Sequence, residues 1–218
     1  AIFMLLTRTF ASYGVEHLKP AVAYVILTVA LLLIFLIIGY PAFIAIFAHL
    51  DPFKFAKKIT RVAVFGFSTS SSAATLPLNV KTTVEELGVD EKIASFVLPL
   101  GATINMDGTA IYQAVCAVFI ACCSGVPLTL GDMAMIVLTA TLASVGTAGV
   151  SGAGMIMLAM VLTQVGLPVE GIAIIAGVDK IFDMGRTTLN ITGDATCALF
   201  ISRLEREKAA KKAAKAAE

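Results

Sequence analysis

An apolar run from residue 93 to 124 is long enough to cross a bilayer, yet its middle reads "GATINMDGTA" and places Gly101, Asn105, Asp107 and Gly108 where lipid would lie. Lipid cannot satisfy the backbone N–H and C=O groups freed at such a break, so the break persists only where it lines a protein-enclosed or watery site. The composition assigns the run to a membrane protein: of 218 residues, 58% are hydrophobic and 14% charged, with a mean hydropathy of +0.93. The expected fold class is all-α and membrane-embedded, and the break marks a functional site.

The formal net charge of +1 gives no electrostatic basis for a nucleic-acid partner. The lysines crowd the last residues, "REKAAKKAAKAAE", which read as a solvated, helical, cytoplasmic tail over 204–218. Cys116, Cys122, Cys123 and Cys197 fall in or beside apolar segments without metal-ligand spacing, and are expected to be small buried side chains. The chain begins inside an apolar stretch, without a basic leader or cleavage site, as the later part of a longer protein would.

Residues 1 to 12 resemble the end of one membrane helix, and 21 to 50 form a run long enough to span with tilt; "YGVEHLKP" joins them. Beyond it, Lys54, Lys57, Lys58 and Arg61 mark a cytoplasmic face by the positive-inside rule. Two apolar arms then flank the polar tip "STSSSAATLP", each too short for a hydrocarbon core of about 30 Å, so a re-entrant hairpin is expected over about 61–81. An interrupted helix over about 93–124 crosses outward. The following loop, "SGVPLTLGD", has no Lys or Arg, as an external loop should. The pattern recurs as an outer hairpin over about 133–167 around "SVGTAGVSGAG" and a final helix over about 171–203. Asn105-x-x-Gly108-Thr109 and Asn190-x-x-Gly193-Asp194 recur in the two halves, 85 residues apart and each preceded by a hairpin, as in an inverted repeat with its site near the midplane. Two membrane helices in 1–60 thus precede a core in 61–203.

In the final helix Asp183, Arg186, Thr187, Asn190 and Asp194 recur at three- and four-residue steps and share one stripe, while Ile181, Phe182, Leu189 and Leu199 face elsewhere. An ionised side chain at the bilayer centre costs about 2.5 to 3.5 kcal/mol, so three of them need a compensating role. One such role is structural, an Arg186–Asp183 ion pair knitting helices together; it leaves Asn190 and Asp194 unexplained. The other is binding. Arg186 offers a planar fork of donors to a carboxylate, and Asp183, one turn earlier, suits an ammonium, which together describe an acidic amino acid. Asn105, Asp107, Asn190 and Asp194, with carbonyls freed at the break, suit a hard monovalent cation such as sodium. Ser70, Ser71 and Ser72 offer hydroxyls and N–H groups to a carboxylate, and the glycines at 146, 149, 152 and 154 permit close backbone approach or helix packing. Gly149-Val150-Ser151-Gly152 also matches the G-x-S-G string of rhomboid-type serine proteases. A nucleophile needs a base, however, and the only histidines, His17 and His49, lie near predicted membrane boundaries.

"STSSSAATLP", "GATINMDGTA", "ASVGTAGVSGAG" and "DMGRTTLNITGD", in this order and spacing, closely resemble the sodium-coupled glutamate/aspartate transporters, or dicarboxylate/amino acid:cation symporters. The resemblance implies that Ser71 and Ser72 lie near the substrate at the inner tip, and that Val150 and Gly154 face it from the outer gate. It gives the side-chain carboxylate to Thr109 and Arg186, the amino group to Asp183, and the main-chain carboxylate to Asn190 with Thr187 beside it. It implies three sodium sites: Gly101, Asn105, Asn190 and Asp194; Thr103, Ser144, Val145 and Thr147; and, in part, Asn105 and Asp107. Departures accompany these matches. The second arginine that family members often carry is replaced here by Ser70 and Met184, a gate proline by Ser151, which implies a looser gate, and a proton-carrying glutamate by Gln113, which implies no proton coupling there.

Residues and resemblance together imply a non-enzymatic, secondary-active symporter of L-aspartate or L-glutamate driven by Na+, working by elevator-like alternating access. It would be a multi-pass protein of the plasma membrane, in contact with lipid, and a homotrimer assembled through helices absent from this chain. The alternatives are a sodium-coupled symporter of C4-dicarboxylates and, from another class, an anion channel in which the charged stripe lines a continuous pore.

Overall fold

The computed structural model describes residues 18–216, and among these residues the chain is entirely helical. The span expected over 1–12 and most of its connection to the next lie outside the described residues. Helix α1 (Leu18–Ile34) runs on through a π-helical stretch (Phe35–Gly39), the short α2 (Tyr40–Phe43) and a second π-helical stretch (Ile44–Ala48). Pro41 accounts for the first widened stretch: it has no N–H, and its ring crowds the carbonyl four residues back, so the ladder locally shifts its register. His49, at φ 46°, ends the helix. Asp51 then caps α3 (Pro52–Thr69), accepting from the N–H groups of Phe53 and Lys54 at 2.9 and 3.3 Å.

The basic stretch is the start of a helix, and α3 with α4 (Ser72–Glu85) extends beyond the expected 61–81. The turn between them is two residues. Ser70, in the left-handed region at φ 51°, stops α3, and Ser71, extended, caps α4 through its side chain on the N–H of Ala74. Most of the polar "SSSAATLP" consequently lies inside a helix rather than at a loop tip.

Next come α5 (Glu91–Ile104) and α6 (Asp107–Cys123), separated only by Asn105 and Met106, whose dihedrals leave the helical region. A second pair, α7 (Leu130–Val145) and α8 (Ala153–Gln164), brackets a seven-residue tip, 146–152. A 3-10 turn (Val169–Gly171) and α9 (Ile172–Ile175) lead into α10 (Asp179–Ala216), whose 38 residues measure about 57 Å. The helix passes through Asn190–Asp194 unbroken. The second signature thus sits on a continuous helix, unlike the first, and the irregular backbone lies earlier, at 176–178.

α10 is the axis against which α3, α4, α5 and α6 pack. One apolar cluster joins Tyr24, Tyr112, Cys116, Ile120 and Phe182; another joins Ile44, Phe55, Ile59, Leu98, Ile191 and Ala198. The distribution of polarity is inverted relative to a water-soluble domain. Phe53, Phe96, Leu130 and Ile156 are 70–85% exposed, whereas Asn79, Thr83, Gln113, Arg186, Asn190 and Asp194 are buried. Ala21–Ala48 and Glu91–Cys123 are long and apolar enough to cross a membrane. The cysteine expectation holds for Cys116 alone: Cys122 and Cys197 are exposed and Cys123 half-buried, because their helices turn these small apolar side chains toward the greasy exterior.

Candidate functional site

The residues of both tips, the break and the α10 stripe converge on one small cavity. Ser70, Ser72, Met106, Thr109, Thr147, Gly149, Val150, Gly154, Asp183, Arg186, Thr187 and Asn190 line it. Its volume, 10 Å³, matches about one water. An amino acid enters only if a wall moves.

Arg186 is 2% exposed and dominates the cavity. Its Nε and Nη2 donate to Asp183 Oδ1 at 3.1 and 2.8 Å, Nη1 lies 3.5 Å from Asp179 Oδ1, and the guanidinium carbon sits 4.3 Å from the Tyr112 ring centroid. A buried guanidinium requires such neighbours, since desolvation is offset only by paired charge and good geometry. Two glycines make room for it. A Cβ on Gly108 would meet the Arg186 backbone at 2.8 Å, and one on Gly154 would meet Nη1 at 2.7 Å. Among the described residues, Arg186 Nη1, Asp179 Oδ1, Tyr112 Oη and Gln113 Oε1 are buried without a hydrogen-bond partner. Arg186 Nη1 and Asp179 Oδ1 face each other as an ion pair and the Tyr112 ring lies under the guanidinium, whereas a neutral polar atom left buried without a partner costs roughly 1–3 kcal/mol.

The ion pair weighed in the sequence is thus present, and it is shared between two carboxylates. Asp183 has a second task, since its Oδ2 accepts from the Ser151 hydroxyl at 2.7 Å and the Gly152 N–H at 3.1 Å. Where the sequence implied a looser gate for want of a proline, the serine makes a bond that proline cannot. Among the described residues no histidine bonds Ser151, which also accepts from Lys180.

Gly149 is the meeting point of the tips. Its carbonyl accepts from the Ala73 N–H at 3.0 Å and the Ser71 hydroxyl at 2.9 Å, and a Cβ there would lie 2.9 Å from the Ala102 carbonyl of α5. Ser71 therefore serves the outer tip instead of opening into the cavity, which Ser72 lines. Asn190 ties the break to α10: its Oδ1 accepts from Gly108 N–H at 2.8 Å, and its Nδ2 donates to Met106 Sδ and Thr109 Oγ1 at 3.0 and 3.3 Å.

A second cluster lies farther along α10. Asn105 Nδ2 donates to Asp194 Oδ1 at 3.0 Å and to the Asn190 carbonyl at 3.3 Å. Gly101 packs so closely that a Cβ would overlap the Asp194 carboxylate, and one on Gly193 would strike the Tyr40 hydroxyl. Asp107 Oδ2 accepts from that hydroxyl at 2.8 Å. Gly101, Asn105, Asn190 and Asp194 are thus brought together as an oxygen-rich group, with Asp107 adjoining through Tyr40. Thr103, Ser144, Val145 and Thr147 are not joined in the same way. The three hydroxyls each donate to a carbonyl three or four residues back, and the side chains of Thr103 and Val145 are exposed.

Sequence reasoning missed Asp179, Tyr40, Tyr112 and Lys180. Asp179 lies four residues before Asp183 and extends the stripe by a turn, so periodicity held that signal. The others carry none, because their partners are remote in sequence.

The model of the sodium:dicarboxylate symporter family matches residues 1–204. The putative sodium-dependent excitatory amino acid transporter glt-4 of Caenorhabditis elegans is 43% identical over 189 residues, covering 87% of this chain and 38% of the relative. Excitatory amino acid transporter 4 of Rattus norvegicus is 46% identical over 160 residues (73% and 28%), and excitatory amino acid transporter 3 of Oryctolagus cuniculus 41% identical over 207 residues (95% and 40%). The chain therefore spans 28–40% of the length of these relatives.

Proposed function

The chain belongs to the sodium:dicarboxylate symporter family, and from that premise we propose that it forms the substrate-binding part of a sodium-coupled symporter of acidic amino acids, L-aspartate or L-glutamate. One observation carries the reading: a buried Arg186 is paired with Asp183, and Asp183 in turn fastens the outer tip. Arg186 takes the substrate's side-chain carboxylate with Thr109, while Asp183 exchanges Ser151 and Gly152 for the substrate's ammonium. Asn190 and Thr187 hold the main-chain carboxylate, and Ser71, Ser72, Val150 and Gly154 close the site from the two tips.

Sodium is held by Gly101, Asn105, Asn190 and Asp194, a set in which the Asn105 side chain already meets the Asp194 carboxylate and the Asn190 carbonyl and whose donors are hard oxygens. Asn105 and Asp107 contribute to a further ion. A third, on Thr103, Ser144, Val145 and Thr147, requires their hydroxyls to leave the carbonyls they now bond. In this reading 61–203 is the transport core, α3–α4 and α7–α8 are re-entrant hairpins of an inverted repeat, and 204–218 is cytoplasmic. The loaded core moves like an elevator in the plasma membrane, within a homotrimer assembled through helices outside this chain.

The family's name favours a second reading, a dicarboxylate substrate without an amine. Such a substrate leaves Asp183 with no new cation. Titration with aspartate, glutamate and succinate, each with and without sodium, separates the two. The amino acids are expected to bind only in sodium, and succinate weakly; sodium-dependent succinate binding of equal strength overturns the role of Asp183.

A further inference from the structure

The two tips are joined by more than the Gly149 carbonyl. The Lys180 ammonium, from the first turn of α10, donates to Ser70 Oγ on the inner tip at 2.9 Å and to Ser151 Oγ on the outer tip at 3.2 Å. Ser70 is itself 1% exposed and held in the left-handed region that ends α3, so the inner end of this bridge is fixed.

Of the bonds that Ser151 and Gly152 make, two run to Asp183 and one to Lys180. The proposed function gives Asp183 to the substrate's ammonium, which competes directly with the two Asp183 bonds. The Lys180 bridge does not involve Asp183 and survives substrate entry. An ammonium has three donors and no acceptor, so it holds two hydroxyls at once and compensates for what Asp183 withdraws.

We propose that Lys180 is a positioning residue that links the inner and outer tips through Ser70 and Ser151 and keeps the outer tip seated while Asp183 is engaged by an acidic amino acid. It acts on how long the substrate stays more than on which substrate enters. The bridge is partly exposed and therefore modest, which sets the expected effect at about three- to tenfold. The proposal rests on the functional reading above.

The test uses the protein reconstituted in liposomes, with Lys180→Met, Ser70→Gly and the double variant; glycine tolerates the φ of Ser70 without strain. In sodium, radiolabelled L-aspartate is expected to dissociate about three- to tenfold faster from either single variant, and the double to be no faster than either, because both remove one bridge. Lys180→Arg restores slow release. Additive single effects, or release unchanged from the parent, overturn the proposal. A nitroxide at Ile156→Cys on α8, with Cys122, Cys123 and Cys197 replaced by alanine, gives a readout that needs no substrate. Its mobility is expected to rise equally in both single variants and no further in the double; unchanged mobility overturns the bridge. A parent that fails to bind aspartate in sodium defeats the functional reading, while the mobility result still decides the bridge.

Discussion

The inner tip is two residues long and the outer tip seven, and they are held by different means. Ser70 and Ser71 end one helix and start the next with their own backbone and side chains, so the inner tip is fixed by groups adjacent in sequence. The outer tip, 146–152, has no side-chain cap at Gly152 and leaves Val150 54% exposed. Its anchorage is borrowed: Gly149 rests on α4 and on Ser71, and Ser151 and Gly152 rest on Asp183. A segment held by remote groups opens when those groups are taken, whereas one held by its neighbours does not. The comparison assigns movement to the outer tip and a fixed wall to the inner one.

Three changes test this contrast. The largest effect is expected from Arg186→Ala, which leaves Asp179 and Asp183 buried without their cation and should cost about 3–5 kcal/mol in unfolding free energy. Aspartate binding should vanish while sodium binding stays measurable, and amide exchange should quicken at 151–155 and at Ala73, whose N–H rests on the Gly149 carbonyl, while Ser70, Ala74 and Thr75, which bond within the inner tip, keep their protection. Equal quickening in both tips breaks the comparison. An intermediate effect is expected from Gly149→Ala, whose Cβ would lie 2.9 Å from the Ala102 carbonyl and 3.3 Å from Ser72 Cβ. The outer tip must lift by a few tenths of an ångström, and aspartate affinity should fall about tenfold, near 1.4 kcal/mol; calorimetric titration showing parental affinity removes Gly149 as the contact point.

The smallest effect concerns Asp132, outside the 133–167 segment, where it forms a capping box with Thr129 at the start of α7. The Thr129 N–H and hydroxyl hold its carboxyl below the usual carboxylate range. Because the folded value is the lower one, the stabilisation is full above the unfolded value of about 3.9 and is lost as pH falls through the folded value. Protection factors in the first turn of α7 should therefore drop below about pH 4, ahead of those at the inner tip. A flat profile assigns the cap no stabilising role.

Much of the site was legible in the sequence where its signal was local. The stripe Asp183, Arg186, Thr187, Asn190, Asp194 follows from helical spacing, and every member is buried, as are Phe182 and Leu189 on the other faces of α10. The break after Ile104 was legible too, because a polar insertion in an apolar run needs enclosure. The matching signature at Asn190 lies on a continuous helix, unlike that at Asn105. The shared Asn and Gly sit in different surroundings: Asn105 leaves the helical region and Gly108, in the first turn of α6, lets the chain approach Arg186, whereas Asn190 and Gly193 lie inside an intact helix and Gly193 makes room for the Tyr40 hydroxyl and the Asn105 amide.

By itself the sequence determined the all-helical class, the apolar exterior, the faces of the helices and the places where the chain turns, all of which depend on residues within a few turns of one another. The tertiary structure alone decided the partners. Asp183 lies 32 residues from Ser151, Asp107 lies 67 from Tyr40, Asn105 lies 89 from Asp194 and Lys180 lies 110 from Ser70. Periodicity places a charge on a face, but which charge or hydroxyl it meets is set by the distance between packed elements. A hydrogen bond is decided within a few tenths of an ångström, and that distance is fixed by the glycines and cores that bring the helices together.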